Sequence, residues 1–394
     1  MNVLKVEPYP FGKVCGNLRT LNYILRYTDK SRVHVYLAVP LESDYTRSVA
    51  GEGIDVILVK PQPRLLQYGG NALRDSLMGR ALTMAAMVRY NLQFLQVIRD
   101  KKIDVIYCNC IRSLLYVGLA AKLSGTPILW YINGELQNRL LDALGFMVAD
   151  RIIFQCETNR QDKYPGLLRI FHNRIDVVRT GLDPDEIIQA EQGDKSRLRE
   201  ELAIDPGKVN LVCVGQLYPL KGVHYLLEAL NLILPEFADL QLYIVGHHVI
   251  DEYQGYQDEL EQIVRKHRLE PYVTFTGWRN DALEVVSLMD ILVHPSRSEG
   301  FPRAVLEALA LGKAVVASRV GGLREIMVDG ENGFLVDPGD VQGLAQKISR
   351  LLRNKPLREA FGRAAREKVF AEYLMADKVA RLEAIWREMV PRPA

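Results

Sequence analysis

The sequence predicts an α/β protein built from two doubly wound parallel sheets, and three observations carry that expectation. Short β-branched runs alternate with stretches of helical period along most of the chain. The runs fall into two series separated by a turn-rich segment. A length of 394 residues also exceeds what one hydrophobic core usually holds.

The first series comprises residues 3–8, 33–40, 54–61, 103–109, 127–133, 151–156 and 176–181. The second comprises 211–215, 240–246, 272–277, 290–296, 314–318 and 333–336. Most runs are continuously apolar, as suits strands covered on both faces by crossover helices. Gly181, Leu182, Asp183 and Pro184 supply turn chemistry where the first series stops, so a hinge is expected there. The expected units are a first Rossmann-like domain at 1–181, a second at 182–372, and a helix at 373–394 with the option of packing back on the first domain. Ligands of such sheets bind at the carboxyl ends of the strands, so the chemistry is expected in strand-to-helix loops of both domains lining a common cleft.

Composition narrows the class. Hydrophobic residues at 48% and charged residues at 25% are ordinary globular usage, and no apolar run is long enough to span a bilayer. Met1 to Lys13 shows no signal-peptide pattern, so a cytoplasmic protein is expected. Five cysteines without a CxxC pair argue against a disulfide framework or a zinc site. Residues 1–180 hold 24 Lys and Arg against 15 Asp and Glu, which leaves 26 against 33 for the rest. That split suggests an anionic partner for the first half. Arg64, Arg74, Arg80, Arg89 and Arg99 recur there along a helical stretch with Leu73, Leu77, Met84 and Met87, so peripheral docking on an anionic membrane is expected. Unevenly distributed surface charge is the bland alternative, and no nucleic-acid partner is expected.

Motif absences exclude further classes. No GxGxxG follows the first strand and no GxxxxGK[ST] occurs, which argues against a dinucleotide dehydrogenase and a phosphate-loop kinase. Asp183-Pro184-Asp185 resembles a metal-binding Asp-x-Asp, but it sits in turn chemistry. His247-His248 lacks a partner at ligand spacing. No metal and no cofactor are therefore expected.

The strongest motif is Ser298-Glu299-Gly300-Phe301-Pro302-Arg303-Ala304, running on to Glu307. Pro302 suits the first position of a helix. Gly300 lets a ligand approach the backbone, and the amides of Arg303 and Ala304 in the first turn favour a diphosphate. Glu307 stands among Val305, Leu306, Ala308 and Leu309, where an unpartnered carboxylate is costly, and ribose hydroxyls would satisfy it. The bland reading makes Glu299 a turn residue and Glu307 a solvated one.

Glu299 and Glu307, with Gly321-Gly322-Leu323-Arg324-Glu325-Ile326 and Asp329-Gly330-Glu331-Asn332-Gly333 following in order, resemble the retaining glycosyltransferases of family 4, the glycosyl transferases group 1. The resemblance covers about residues 210–340 and implies the GT-B fold, with a nucleotide-sugar donor on the second domain and the acceptor on the first. It also implies that Glu299 contacts the donor sugar, amides near Phe301 hold the diphosphate, and Glu307 binds the ribose.

By the same resemblance Lys221 in Gly215-Gln216-Leu217-Tyr218-Pro219-Leu220-Lys221-Gly222 binds phosphate, although Gln216 stands where the family carries arginine. Trp278 and Arg279 lie beside the nucleobase by resemblance, and Trp278 reads equally as a core-edge aromatic. The stretch Pro10 to Asn17, with Gly12, Gly16 and Asn17, resembles the acceptor-side loop without its adjacent glycine pair. Asn133 replaces the usual histidine that faces the donor sugar. It cannot carry a proton at neutral pH, so a role in orienting the sugar is expected, with Glu135 a second acceptor-side candidate.

The expected activity is transfer of a sugar, from a UDP-sugar by family frequency, to a glycan, lipid-linked or small-molecule acceptor with retention and without a metal, in polysaccharide or glycolipid biosynthesis. The alternatives are a nucleotide-sugar-binding protein without transfer, and a same-fold epimerase or phosphorylase.

Overall fold

The structure is a computed structural model and describes residues 1–8, 16–66, 76–132, 138–161, 164–248 and 254–390. It divides into two compact units: Met1–Arg179 with Met375–Ala394, and Thr180–Leu374. All thirteen β-branched runs hold a strand, and every named strand pairing is parallel.

The first unit contains β1 (Asn2–Val6), β2 (His34–Val39), β3 (Asp55–Leu58), β4 (Val105–Cys108), β5 (Ile128–Ile132), β6 (Arg151–Phe154) and β7 (Ile175–Val177). They lie in the order β3-β2-β1-β4-β5-β6-β7, a doubly wound sheet whose strand order reverses beside β1. Its two faces are covered separately. Leu4, Val6, Ile106 and Ile128 pack on the helices Leu77–Asp100 and Ile111–Ser124 through Phe94, Ile98 and Val117. On the other face Val3, Val105, Tyr107 and Leu129 meet Leu21 and Ile24 of the helix Gly16–Tyr27.

That second face is also covered by the end of the chain. The helix Met375–Met389 buries Val379, Leu382, Ile385 and Trp386 in it, and the Trp386 ring lies 5.9 Å from that of Tyr107. The unit boundary thus falls at Leu374/Met375, beside the expected 372/373 division, and the first crossing at Arg179/Thr180.

The second unit contains β8 (Val209–Val214), β9 (Leu240–Val245), β10 (Val273–Gly277), β11 (Ile291–His294), β12 (Ala314–Ser318) and β13 (Phe334–Val336), in the order β10-β9-β8-β11-β12-β13. Leu211, Ile244 and Val316 pack under the helices Val223–Ile233 and Val341–Arg353, with Leu226, Leu230, Ile348 and Leu351 in the interface. Within this unit the entering and leaving segments lie side by side, since Leu182 pairs with Leu374. The strand order again reverses beside the first strand, between β8 and β11, and their carboxyl-end loops carry the residues singled out above.

Candidate functional site

Three loops of the second unit converge because backbone contacts force them together. The loop after β8 ends in a 3₁₀ turn, Pro219–Lys221, closed by Gly222 with φ of 68°. A Cβ at Gly222 would lie 2.2 Å from the Pro295 carbonyl oxygen, so only glycine permits this approach to the loop after β11. Arg297 N donates to Leu220 O at 2.7 Å and fastens the same two loops. From the far side, Gly321 has φ of 45°, and a Cβ there would lie 2.0 Å from the Glu299 carbonyl oxygen. Gly322 N donates to Gly300 O at 2.8 Å. The Gly-Gly pair read from the sequence therefore clamps the Glu299–Phe301 loop from behind.

The clamp brings two sequence-predicted residues into contact. Lys221 Nζ lies 2.6 Å from Glu299 Oε1, with side-chain exposures of 18% and 9%. Burial opposes the charge of each group. For Lys221 the Glu299 carboxylate and Tyr218 outweigh it and hold the ammonium above the usual lysine range. For Glu299 burial is outweighed by Lys221 and His294, which keep the carboxyl well below the usual carboxylate range. The site is thus charged at neutral pH. Beneath it, burial pushes the Cys213 thiol up to about 12, so this cysteine offers no nucleophile.

His294, the last residue of β11, was not among the residues the sequence singled out. Its Nε2 lies 2.7 Å from Glu299 Oε1 and 3.1 Å from Ser296 Oγ, and both His294 and Ser296 are buried. A signal was present in the sequence: a histidine ending an apolar strand, five residues before the key glutamate. Only the curl of the loop makes that spacing a contact.

The remaining donor-side residues are placed as follows. The helix Arg303–Ala310 starts one residue later than expected, with Pro302 as its N-cap rather than its first turn. Pro302 has ψ of 115°, which is extended, and it brings no capping side chain to the first-turn amides. Phe301 is buried, its ring 5.6 Å from that of Tyr373. Glu307 is buried as well, and its Oε1 accepts from Arg303 Nε at 2.9 Å across one helical turn. The partner that its apolar setting demanded is thus supplied in part by the chain itself.

Gln216 is half-buried, and with Lys221, His294 and Ser296 it lines a cavity of only about 10 Å³ behind the loop. That is room for one water at most. Trp278 is half-buried and donates from Nε1 to Asn280 Oδ1 at 3.3 Å. The Arg279 guanidinium is taken up by Asp281 at 2.7 Å and Glu201 at 2.7 Å. Gly12, Asn133 and Glu135 lie outside the described residues. Gly16 begins the helix Gly16–Tyr27, which also contains Asn17.

Residues 194–368 match the family model described as glycosyl transferases group 1. The chain is 27% identical over 197 residues to N-acetyl-alpha-D-glucosaminyl L-malate synthase of Bacillus anthracis, an alignment covering half of each chain. It is 23% identical to the UDP-Gal:alpha-D-GlcNAc-diphosphoundecaprenol alpha-1,3-galactosyltransferase of Escherichia coli, over 75% of this chain and 78% of that one. Among solved structures, Anabaena HepE in complex with UDP-glucose superposes with a TM-score of 0.80 at 22% identity, over 98% of this chain and 100% of the other. Two doubly wound parallel sheets and the structural neighbours agree that the chain has the GT-B fold, and residues 194–368 of its second domain, with the paired glutamates and their Gly-Gly clamp, are similar to the glycosyl transferases group 1.

Proposed function

We propose that the protein transfers a sugar from a UDP-sugar to a lipid-linked or glycan acceptor with retention of configuration. The carrying observation is the Lys221–Glu299 pair, a half-buried lysine on a buried carboxylate, at the converging strand ends beside the start of the helix Arg303–Ala310. In this reading the bond between the anomeric carbon and the diphosphate oxygen breaks while the acceptor hydroxyl forms a new bond on the same face. The acceptor's proton passes to the departing phosphate. Lys221 and the first-turn amides stabilise the developing charge on the diphosphate, so that no metal ion is required. Glu299 holds a sugar hydroxyl, Glu307 with Arg303 meets the ribose, and Trp278 lies beside the base. Asn133 orients the donor sugar, and Gly12, Gly16, Asn17 and Glu135 serve the acceptor. The UDP in the HepE complex and the UDP-sugar and lipid diphosphate in the name of the Escherichia coli relative support these choices.

An exposed helix face favours a membrane-borne acceptor. On the helix Leu77–Asp100 the side chains of Leu77, Met78, Leu82, Met84, Val88 and Leu92 are exposed, from 42% to 84%. Arg80 and Arg89 share that exposed surface, and no acidic residue occurs before Asp100. Met87 is half-buried, Arg64 donates to Gly79 O at 2.7 Å, and Leu73 and Arg74 lie outside the described residues, so the proposed docking surface is drawn on this helix. Among the described residues no helix is long and apolar enough to cross a membrane. Apolar residues interleaved with arginines suit the headgroup region of an anionic bilayer.

Thermal unfolding with UDP, GDP, ADP and their sugars tests the donor. A ligand at 100 times its Kd adds about 2.7 kcal/mol of stability. A shift with UDP and UDP-sugars supports the reading, and no shift with any of them overturns it. Binding of the donor without transfer to any acceptor would instead mark a nucleotide-sugar-binding protein. Equal cosedimentation with neutral and anionic vesicles overturns the membrane surface.

A further inference from the structure

Two donors converge on a single oxygen of Glu299. Lys221 Nζ and His294 Nε2 both contact Oε1, at 2.6 and 2.7 Å, and among the described residues no hydrogen bond or ion pair reaches Oε2. The carboxylate is therefore gripped at one end, and its other oxygen is left for an outside donor. Of the two grips only the histidine is fixed. His294 ends a buried strand, Ser296 Oγ holds the same edge of the ring at 3.1 Å, and its side chain is 4% exposed. Lys221 stands on a surface turn with four rotatable carbons between backbone and charge.

We propose that His294 is the positioning residue of Glu299, holding Oε1 so that Oε2 accepts a hydroxyl of the donor sugar. The inference rests on the reading of this site as a nucleotide-sugar site. An ionised carboxylate cannot donate, so the proton of this contact lies on Nε2. When a diphosphate arrives, Lys221 has a second anion to neutralise and its hold on Glu299 weakens. The Nε2–H bond to Oε1 persists, and the carboxylate keeps its orientation while the lysine turns to the leaving group. Without His294, Lys221 becomes the sole partner of Glu299. The ammonium is then shared less readily with the diphosphate, and the carboxylate follows it.

The test compares UDP with UDP-glucose by calorimetric titration, together with kcat for transfer. Three variants are read against the parent: His294→Leu, which removes the donor; His294→Asn, which is polar but too short to reach Oε1; and His294→Gln, which keeps an N–H near Nε2. The expected result is that UDP affinity stays within about threefold in all three. The preference for UDP-glucose over UDP, and kcat, fall about 10- to 100-fold in the Leu and Asn variants, as for one hydrogen bond to a charged group. His294→Gln should recover most of that loss. A purely structural histidine would instead lower melting temperature and UDP affinity together, without rescue by Gln. That pattern, or a sugar preference and kcat unchanged within threefold in both Leu and Asn variants, overturns the inference while leaving the site reading intact. A parent protein that binds neither UDP nor UDP-glucose overturns both.

Discussion

Each domain sets a lysine against a buried glutamate near the carboxyl ends of its central strands, yet the two pairs are held quite differently. In the second domain Lys221 and Glu299 meet at 2.6 Å from two loops, and His294 adds a second bond to the same carboxylate. In the first domain Lys5 and Glu7 stand two residues apart at the end of β1, 3.6 Å from one another, with Asn109 Nδ2 donating to Glu7 Oε2 at 3.1 Å. Among the described residues Lys5 Nζ and Glu7 Oε1 have no hydrogen-bond partner, and the ammonium rests 4.6 Å above the Tyr107 ring. The outcomes are opposite. Glu299 is held ionised, whereas burial, only partly offset by Lys5 and Asn109, pushes the Glu7 carboxyl up. A buried carboxylate is kept charged by the number and closeness of its donors, and such donors must be brought by loops that can close on it.

The comparison breaks first at turnover. Lys221→Ala should lower kcat about 10²- to 10³-fold with the fold retained, since in the proposed reading it removes the charge that stabilises the leaving group. Glu307→Ala should lower it less, through the ribose. Near-parental kcat in both would remove this site from catalysis. By contrast, the double substitution Lys5→Met with Glu7→Leu should leave the first domain folded and neutral in stability or more stable by about 1–4 kcal/mol, because a poorly matched buried pair is replaced by apolar packing. Chemical denaturation checks this, and a marked loss of stability would show that the loose pair is as well compensated as the tight one.

The glycine clamp comes next. Gly321→Ala places a Cβ against the Glu299 carbonyl from a left-handed conformation, and it should cost about 1–3 kcal/mol and weaken donor binding with it. A variant that kept both would detach the clamp from the site.

The finest distinction is in pH dependence. The lowered pKa of Glu299 means that its contribution to stability is complete above the usual carboxylate range and lost only as pH falls through its own lower value. For Glu7 the sign reverses: the folded state binds the proton more tightly than the unfolded chain, so its contribution is present at low pH and fades as pH rises through the raised value. Carbon NMR titration of the two carboxyls should show Glu7 titrating above the usual range while Glu299 remains ionised below it. The opposite order would overturn the comparison.

Much of this was legible in the sequence because it is local. The thirteen strands could be read from apolar runs, since a parallel sheet buries both faces of each strand and leaves a continuous hydrophobic signature. The helix after Glu299 could be read from proline and glycine, whose backbone preferences act within a turn, and the Gly-Gly pair from its place in the resembling motif. Pro302 was misplaced by one residue because a fixed φ leaves ψ open, and ψ decides whether the residue caps the helix or begins it. By itself, then, the sequence determined the two parallel-sheet domains, the position of the paired glutamates and the lysine turn before the helix Val223–Ile233. Only the tertiary structure decided that Lys221 and Glu299 share one oxygen with His294, that the Arg279 head is occupied by Glu201 and Asp281, and that Trp386 closes the far face of the first sheet. Each of these is a meeting of segments distant along the chain. Periodicity and turn chemistry constrain a residue's neighbours within a few positions, whereas which distant groups meet is decided by how the sheets, helices and loops pack.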